Sequence, residues 1–439
     1  MHAMGLDIGT TTLSAVMVDA GTGAVLEALT LPNATEVRAE AWARLQDPDR
    51  IWRQVEAIAD RLMAAHPSVR CIGLTGQMHG MLYADAKGRA VSPLYTWQDG
   101  RGDLPAVGGK TYAQALSRMT GRRLATGYGA VTHFYNRENG LVPGDAASAM
   151  TIQDYIGMKL TGRAAPLMHA SDAHSFGAAD WPGWSGLIRW TERTECLGEA
   201  RGGIPVAVAI GDNQASFLGS TQSARGSVLV NIGTGGQISV AVDGGAPCGE
   251  IDTRPYVDGG SLLVGISLCG GRAYALLERL FRDVAALAGA KADGLYEQMN
   301  ALAELPLEDP LAVSTLFCGT RRNPALRGEI RGISDRNLTP AHLVQGVLRG
   351  MVDELHASYL CMRASIPDAP SLLVGSGNGI RQNPALRRLF ESAFGMPLRI
   401  PAHREEAAYG AALFAMAASG LRASIADAQR IIRYQPVGP

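Results

Sequence analysis

Asp7 is followed at once by a turn rich in Gly and Thr, and together these features could bind phosphate. The turn, GTTT, brings several backbone N–H groups and hydroxyls close together, which favours an anion. Glycine there lets the backbone approach the anion and reach positive φ. A carboxylate beside a polyphosphate repels it unless a divalent cation lies between them, so we predict that Asp7 binds Mg²⁺ rather than capping the turn. The predicted phosphate ligands in this turn are Gly9, Thr10, Thr11 and Thr12.

A second turn of the same kind lies 224 positions further along the chain. LDIGTTTLSAVMVDAG, which begins at Leu6, aligns with VNIGTGGQISVAVDGG, which begins at Val230 and ends at Gly245. A chance match of Gly/Thr turns is the alternative, but the two copies also share the register of the strand that follows. Asn231 replaces the aspartate, so only the first copy carries a charge. The second copy adds Gly233, Thr234 and Gly235 as predicted phosphate ligands.

These turns must be held by strands, and each copy reads as strand, tight turn and strand. Two copies imply two similar α/β domains that face a cleft, which we place at 1–208 and 209–439, with IPVAVAI leading into the second. CIGLTGQ and LLVGSG read as further buried strands that end in loops. Apolar periodicity and capping residues predict helices over Asp47–Ala65, Leu338–Ala364 and Glu405–Ala418.

The bulk composition narrows the class of partner. Among 439 residues, 40 Lys and Arg balance 41 Asp and Glu, so no basic excess favours nucleic acid or an anionic membrane. A small neutral substrate fits this balance better. The six cysteines show no metal-binding spacing and are expected to be reduced and mostly buried. With no signal peptide visible, we expect a cytoplasmic protein and leave a homodimer open.

A third Gly-rich segment, GSGNG, follows the strand LLV and precedes a helix. Backbone N–H groups and the helix dipole at such a place favour a phosphate or a nucleoside. The residues concerned are Gly375, Ser376, Gly377 and Asn378.

Six motifs in order resemble the FGGY carbohydrate kinases, from about Leu6 to about Leu421. They are DIGTTT, GQMHG, WQDGR, GDNQAS, NIGTGG, and GSGNGIRQNP with EEAAYGAAL. The resemblance implies an α/β fold of two duplicated ribonuclease H-like domains of the actin and Hsp70 ATPase type, facing a central cleft. It also implies ATP and Mg²⁺ as cofactors and a small sugar or polyol as substrate.

Further stretches look like those of the sedoheptulokinases within that family. They are LATGYG, TIQDY, PLMHASDAHSFG and SLCGG. The second turn, GTGG, looks more like that of a xylulokinase. We therefore expect transfer of the γ-phosphate of ATP to a terminal hydroxyl of a ketose, with sedoheptulose, giving sedoheptulose 7-phosphate, as the first choice. The alternative is a xylulokinase or another ketose or polyol kinase of the same family.

By the same resemblance, Asp212 is the catalytic base and a second Mg²⁺ ligand, and its alternative role is an N-cap for the following helix. Asp99 is placed against sugar hydroxyls, and its alternative is a salt bridge to Arg101. The four residues of GSGNG bind the adenosine. The expected sugar-binding residues are Gln77, Met78, His79, Trp97, Asp99, Arg101 and Asn213.

A non-catalytic, nucleotide-dependent regulator built on the same duplicated core is the alternative of a different class, because a fold does not fix a function. Both aspartates, Asp7 and Asp212, are present and the GQMHG loop is intact, which argues against that alternative.

Overall fold

Strands and helices alternate along most of the chain, for which a computed structural model describes residues 1–106, 108–177, 179–244, 250–321 and 323–436. Gly245, the last residue of the sequence repeat, and Cys248 lie outside the described residues. The strands are β1 (His2–Ile8), β2 (Thr12–Asp19), β3 (Val25–Pro32), β4 (Glu36–Val37), β5 (Leu45–Gln46), β6 (Val69–Gly76), β7 (Leu82–Ala84), β8 (Leu94–Tyr95), β9 (Ser148–Met150), β10 (Met168–His169), β11 (Trp190–Thr191), β12 (Cys196–Ala200), β13 (Ile204–Ala207), β14 (Ile210–Gly211), β15 (Ser227–Ile232), β16 (Gly236–Val242), β17 (Asp252–Pro255), β18 (Ser261–Ser267), β19 (Ala312–Ser314), β20 (Glu329–Arg331), β21 (Leu372–Ser376) and β22 (Leu398–Arg399).

The helices connect these strands or cover their sheets. They are α1 (Pro48–Ala65), α2 (Tyr112–Thr120), α3 (Gly129–Glu138), α4 (Ile152–Thr161), α5 (Ala170–Ser175), α6 (Asp212–Ser220), α7 (Gly271–Leu287), α8 (Tyr296–Leu302), α9 (Pro340–Arg363), α10 (Gly377–Gln382), α11 (Pro384–Phe394), α12 (Glu406–Ala418) and α13 (Ile425–Gln429). Within the described residues, none of these helices is long and apolar enough to cross a membrane.

The chain packs into two compact units, and each is discontinuous in sequence. Unit 1 contains 1–222, 254–260 and 405–433, and unit 2 contains 223–253, 261–404 and 434–439. These limits follow the packing of the chain. The predicted division into domains at 1–208 and 209–439 stays a prediction.

The sheet of unit 1 is built around the first predicted hairpin. Its main path has the order β12-β13-β6-β1-β2-β3, and β14 also pairs with β6. β1 and β2 are antiparallel, with Asp7 opposite Ser14, and β1 runs parallel to β6 with Asp7 opposite Thr75. The turn of the hairpin therefore lies at the same edge of the sheet as the carboxyl end of β6.

The sheet of unit 2 repeats this topology around the second hairpin. Along the sheet, β18, β16, β15, β21 and β22 are neighbours in that order. β15 and β16 are antiparallel, and β15 runs parallel to β21 with Asn231 opposite Ser376. The order of antiparallel and parallel neighbours matches that of β3, β2, β1, β6 and β13. The duplicated α/β fold predicted from the sequence repeat is confirmed.

The predicted helices are present because their ends are capped and one face is apolar. Asp47 caps α1: its carboxylate accepts the backbone N–H groups of Asp49 and Arg50 at 3.0 Å. Ile51, Val55 and Leu62 recur at helical spacing and are buried against the unit 1 sheet. α9 begins likewise after Thr339, whose hydroxyl accepts the N–H of His342.

The last long helix, α12, packs into unit 1, although it comes almost at the end of the chain. Its residues from Ala408 to Met416 are buried on all sides. A Cβ atom at Gly5 would overlap the carbonyl oxygen of Ala408, and one at Gly73 would overlap that of Ala411. The backbones of β1 and β6 thus lie directly against this helix, which requires glycine at both positions.

Candidate active site

Asp212 is the first residue of α6 and follows β14, which runs parallel to β6. Ile210 pairs with Thr75 and Gly211 with Gly76, so the aspartate emerges at the carboxyl end of these strands. Gly211 is the N-cap, and no side chain caps this helix. The N-cap alternative for Asp212 is therefore wrong. The Asp212 carboxylate instead accepts the N–H of Asn213.

The electrostatics of Asp212 suit a base. Burial raises the pKa of its carboxyl group to about 6, and the charge of Arg254 and the N–H of Asn213 offset part of that rise. Arg254 also donates a hydrogen bond of 3.3 Å from Nη1 to Oδ1 of Asn213. No local sequence pattern points to Arg254, because it lies 42 residues beyond Asp212 in the chain.

Asp7 lies within electrostatic range of two other carboxylates. Burial, the charge of Asp212 and the charge of Glu405 together raise its pKa to about 7. Within the described part of the chain, no residue donates a hydrogen bond to the Asp7 side chain, so the turn-capping alternative is not borne out. Glu405 accepts a hydrogen bond of 3.1 Å from the hydroxyl of Thr30.

These carboxylates fit a hydrated divalent cation. Burial and the charges of Asp212 and Glu405 raise the pKa of Asp7, and a positive ion between the carboxylates would relieve their repulsion and lower that pKa. Among the described residues, no group of three or more His, Cys, Asp or Glu is arranged to hold a metal alone. Mg²⁺ typically binds through one or two carboxylates together with waters and substrate phosphates, and Asp7 and Asp212 suit that mode.

The GQMHG loop follows β6 directly and is fixed by hydrogen bonds. Gln77 is buried: its Nε2 donates to Oε1 of Gln46 at 3.0 Å, and its own Oε1 has no partner among the described residues. The hydroxyl of Ser175 lies 3.3 Å from Sδ of Met78. His79 stacks on Tyr128 at 4.5 Å between ring centroids. An amide oxygen without a partner, a thioether and a stacked imidazole in one loop suit a polyol.

Trp97 lies next to the first hairpin. Its indole Nε1 donates to the hydroxyl of Thr10 at 2.9 Å, while 46% of the residue remains exposed. Gln46 donates from Nε2 to the carbonyl oxygen of Thr10 at 2.8 Å. Trp97 and the GQMHG loop are thus both tied to the predicted phosphate turn, through Thr10 and through Gln46.

Asp99 and Arg101 form a buried ion pair, which is the alternative that the sequence left open. Nε of Arg101 donates to Oδ1 of Asp99 at 2.6 Å, and the N–H of Arg44 donates to Oδ2 at 3.1 Å. The guanidinium also lies over the Tyr95 ring at 4.1 Å. Both carboxylate oxygens already accept protein hydrogen bonds, so these two residues hold the loop. A sugar contact by either stays a prediction.

A buried polar network lies behind Asp212, and the sequence pointed to it only through the stretch that contains Asp172. Gln153 donates from Nε2 to Oδ1 of Asp172 at 3.0 Å, while Oδ2 has no partner among the described residues. Burial, then the charges of Asp154 and Asp212, raise the pKa of Asp172 well above its usual value. The hydroxyl of Ser171 accepts the N–H of Gly211 at 3.0 Å, which connects the network to the N-terminus of α6.

The two hairpin turns require glycine because a neighbouring backbone carbonyl lies too close for a Cβ atom. The expectation that these glycines have positive φ is wrong. A Cβ at Gly9 would lie 2.8 Å from the carbonyl oxygen of Thr12, and one at Gly235 would lie 2.9 Å from that of Ser267. Neither residue has positive φ. Thr11 and Thr12 are exposed in the first turn, and Gly233 and Thr234 in the second.

The GSGNG segment lies beside the second hairpin within unit 2. Nδ2 of Asn231 donates to the hydroxyl of Ser376 at 2.8 Å. Gly377 has a φ of 81°, which favours glycine, and it begins α10. Gly375 and Ser376 are buried, whereas Asn378 is exposed. Unit 2 therefore presents a hairpin turn and a helix start next to each other.

Two units of one topology, each with a Gly/Thr hairpin at the edge of its sheet, have the architecture of the actin and Hsp70 class of ATPases. Models of the FGGY family of carbohydrate kinases match residues 2–181 with its N-terminal domain and 240–419 with its C-terminal domain. The chain belongs to the FGGY family of carbohydrate kinases. It is a sugar phosphotransferase, and kinases of this family use ATP.

Similar proteins include kinases of several sugars. A sedoheptulokinase of Mus musculus is 28% identical over 93% of this chain and 96% of its own length. A xylulose kinase of Streptomyces coelicolor is 28% identical over 93% of this chain and 86% of its own length. The crystal structure of a xylulose kinase from Rhodospirillum rubrum has a TM-score of 0.84 at 22% identity and covers 99% of this chain and 93% of that one.

Proposed function

We propose that the protein transfers the γ-phosphate of ATP to a terminal hydroxyl of a ketose, and that sedoheptulose, giving sedoheptulose 7-phosphate, is the preferred substrate. The observation that carries the chemistry is Asp212, whose carboxyl pKa is raised to about 6 at the start of α6. Similarity to sedoheptulokinases over almost the whole chain supports the sugar.

In this proposal Asp212 accepts the proton of the attacking hydroxyl at its carboxylate. A base with a pKa near 6 is mostly ionised at neutral pH and remains basic enough to take that proton. Asn213, fixed by Arg254, lies next to the base and donates to a sugar oxygen. Met78 and His79 line the sugar pocket, and Gln77 offers its unpaired amide oxygen to a hydroxyl.

Phosphate binding is assigned to the two hairpin turns. Mg²⁺, when bound, neutralises charge on the β- and γ-phosphates, and Asp7 and Asp212 would hold it. Thr11 and Thr12 donate to the γ-phosphate from unit 1. In unit 2, Thr234 and Gly235 bind phosphate, and the GSGNG segment binds the adenosine.

Xylulose is the second candidate substrate. It is favoured by the GTGG form of the second turn and by the xylulose kinases among the similar proteins. The chemistry and its residues are the same for both sugars. The carbon number of the preferred ketose distinguishes the two candidates.

The test is a coupled ADP-release assay with Mg-ATP and sedoheptulose, xylulose, ribulose, fructose or glycerol. We expect sedoheptulose to have the highest kcat/KM, and Asp212→Asn to lower kcat by about 10²- to 10⁴-fold, the usual contribution of a positioned base. Asp60→Asn on the exposed face of α1 is the matched control and should keep wild-type rates.

Preference for a pentulose would overturn the proposal that sedoheptulose is the substrate and leave the proposed mechanism unchanged. Full activity of Asp212→Asn would refute the proposed role of Asp212 as the base. A cytoplasmic location and a homodimer remain predictions, which cell fractionation and light scattering would test.

A further inference from the structure

Two cysteines of unit 2 lie side by side. Cys269 directly precedes Gly270 and α7, and Cys318 lies in the loop between β19 and β20. Both are free thiols, their side chains are hydrogen-bond partners, and both belong to the same apolar cluster. Among the five cysteines that the structure describes, the expectation of burial holds for Cys71 and Cys269, whereas Cys196 and Cys318 are partly exposed and Cys361 is exposed.

The two sulfurs differ in access and charge environment. Cys318 is partly exposed, and Nη1 of Arg272 lies 3.5 Å from its Sγ. A guanidinium at this distance attracts a sulfur anion, which is the nucleophile in disulfide exchange. Burial, followed by the contact with Cys318, raises the pKa of Cys269 to about 12, so Cys269 loses its proton less readily and is expected to react second. A reagent from solution therefore reacts first with Cys318.

This dithiol is connected to the second hairpin through the start of α7. The N–H of Gly271 donates to the carbonyl oxygen of Gly233 at 2.9 Å, and the N–H of Arg272 donates to that of Thr234 at 3.0 Å. A Cβ at Gly270 would overlap the carbonyl oxygen of Gly235. A shift of Cys269 by a fraction of an ångström is therefore passed to the turn.

We propose that Cys269 and Cys318 form an intramolecular disulfide when a small-molecule disulfide is the oxidant, and that this bond weakens nucleotide binding at the adjacent hairpin. The second half rests on the proposed phosphate role of Gly233, Thr234 and Gly235. The first half does not depend on it.

The chemistry is two successive exchanges. The sulfur of Cys318 attacks one sulfur of the oxidant RSSR, its S–S bond breaks, and one RSH leaves with the proton of Cys318. The sulfur of Cys269 then attacks that of Cys318, the mixed disulfide breaks, and a second RSH leaves with the proton of Cys269. The two protein thiols are oxidised by two electrons and RSSR is reduced to two RSH.

The disulfide is expected to displace the hairpin because only a small range of S–S distances and dihedral angles is allowed. Two thiols in hydrogen-bond contact must approach to about 2 Å between sulfurs, with a dihedral angle near 90°. The Cys318 loop is held at Thr315, whose hydroxyl donates to Oε2 of Glu354 on α9 at 3.0 Å. The approach is therefore made partly by Cys269. The disulfide also replaces the ionisable thiol that Arg272 contacts with a neutral sulfur.

The first experiment maps the disulfide. Wild-type protein is incubated with oxidised glutathione, free thiols are alkylated, and peptides are analysed by mass spectrometry. We expect a 269–318 cross-linked peptide that a reducing thiol abolishes. Arg272→Gln should slow its formation. Failure to find this peptide in folded wild-type protein refutes the first half.

The second experiment measures Mg-ADP binding by calorimetry in the reduced and oxidised protein, without sugar. Oxidation should raise the Kd about fivefold to tenfold, at the lower end of couplings between sites. Cys269→Ser and Cys318→Ser should bind Mg-ADP alike before and after treatment. Cys361→Ser, which removes an exposed cysteine, is the matched control and should respond as wild type does.

An oxidised protein with the mapped bond and an unchanged Kd refutes the effect on the hairpin. Reduced wild-type protein that binds no Mg-ADP refutes the proposed nucleotide site, and with it the second half, whereas the mapped disulfide then stands by itself.

Discussion

Asp7 and Asn231 occupy equivalent positions in the two hairpins, but one side chain is acidic and the other neutral, and their hydrogen-bond partners and neighbouring charges differ. Asn231 donates to Ser376 and serves the packing of unit 2. Asp7 receives no such hydrogen bond from the described residues and lies near the charges of Asp212 and Glu405. The duplicated fold therefore has one anionic turn and one neutral turn, and only the anionic one suits a cation.

The charge of Asp7 should lower the stability of the metal-free protein above neutral pH. Folding raises the pKa of Asp7 from 3.8 to about 7. The contribution of the protonated side chain to the free energy of unfolding is therefore complete below pH 3.8 and is lost as the pH rises through 7. We expect Asp7→Asn without Mg²⁺ to melt at least about 2 to 4 °C above wild type at pH 8, the shift that 1 kcal/mol gives in a unit of this size, and no higher at pH 4.

Thermal melts at both pH values, with Asp60→Asn as control, check this result. Mg²⁺ with ADP should then stabilise the wild type more than Asp7→Asn. Equal melting temperatures of variant and wild type at pH 8 would contradict a strained charge at this position.

Asp172 should position the start of α6 and take no direct part in the reaction. Burial, the largest cause, raises the pKa of its carboxyl group well above the usual value. An asparagine keeps the oxygen that accepts the hydrogen bond of Gln153, so it can replace Asp172 with little change. We expect Asp172→Asn to keep kcat/KM within about threefold. Asp172→Leu removes the 3.0 Å hydrogen bond of Gln153 and leaves its Nε2 only the 3.4 Å contact with the carbonyl oxygen of Gly76, which costs about 1–3 kcal/mol.

Steady-state kinetics and thermal melts of both variants check this prediction. A large loss of kcat in Asp172→Asn, in a protein that melts normally, would instead assign the carboxylate a direct part in the reaction.

At the scale of elements, the place of Asp212 depends on how closely two helices approach. A Cβ at Gly410 of α12 would overlap the carbonyl oxygen of Ala215, and one at Gly219 of α6 would overlap that of Glu406. These glycines let the two backbones touch, and α6 carries the proposed base at its first turn. The packing of α6 against α12 thus decides the geometry of the site.

Gly410→Ala should therefore lower both stability and activity. Overpacking of a tight contact typically costs about 1–3 kcal/mol, and a displaced α6 moves Asp212. Urea unfolding and kcat measurements check the result. Gly144→Ala is the matched control, because its Cβ would meet nothing within 4 Å and its φ is not positive. Wild-type stability of Gly410→Ala would show that α12 can move away without loss.

Local patterns predicted the hairpins, α1, α9, α12 and the strand before GQMHG, because apolar periodicity and capping residues are local signals. The packing of α12 into unit 1, the contact of Arg254 with Asn213 and the network around Asp172 join residues tens to hundreds apart. No local pattern specifies such contacts. The Asp99–Arg101 ion pair could be predicted from the short spacing of the two residues, but its burial depends on the more distant ring of Tyr95 and on Arg44.

At the scale of the whole molecule, each unit has apolar clusters of its own. One cluster, which includes Phe390, lies entirely in unit 2, and another, which includes Leu62, lies entirely in unit 1. A chain with separate cores of this size commonly unfolds in more than one step. Stability should then be described unit by unit.

We expect calorimetry of the ligand-free protein to give two transitions. Leu62→Ala and Phe390→Ala should each lower a different one, since such truncations cost about 2–5 kcal/mol where the cavity forms. Each variant is the control for the other. A single transition that both variants lower equally would show that the units unfold together.

The late position of α12 in the sequence has a consequence for synthesis on the ribosome. Residues 1–222 emerge first, but the helix that covers β1, β6 and α6 begins only at Glu406. At ordinary elongation rates the intervening chain takes roughly ten to forty seconds to make. Throughout that interval the nascent first unit presents an uncovered apolar sheet face, so it is the part of this protein that a ribosome-associated chaperone would meet.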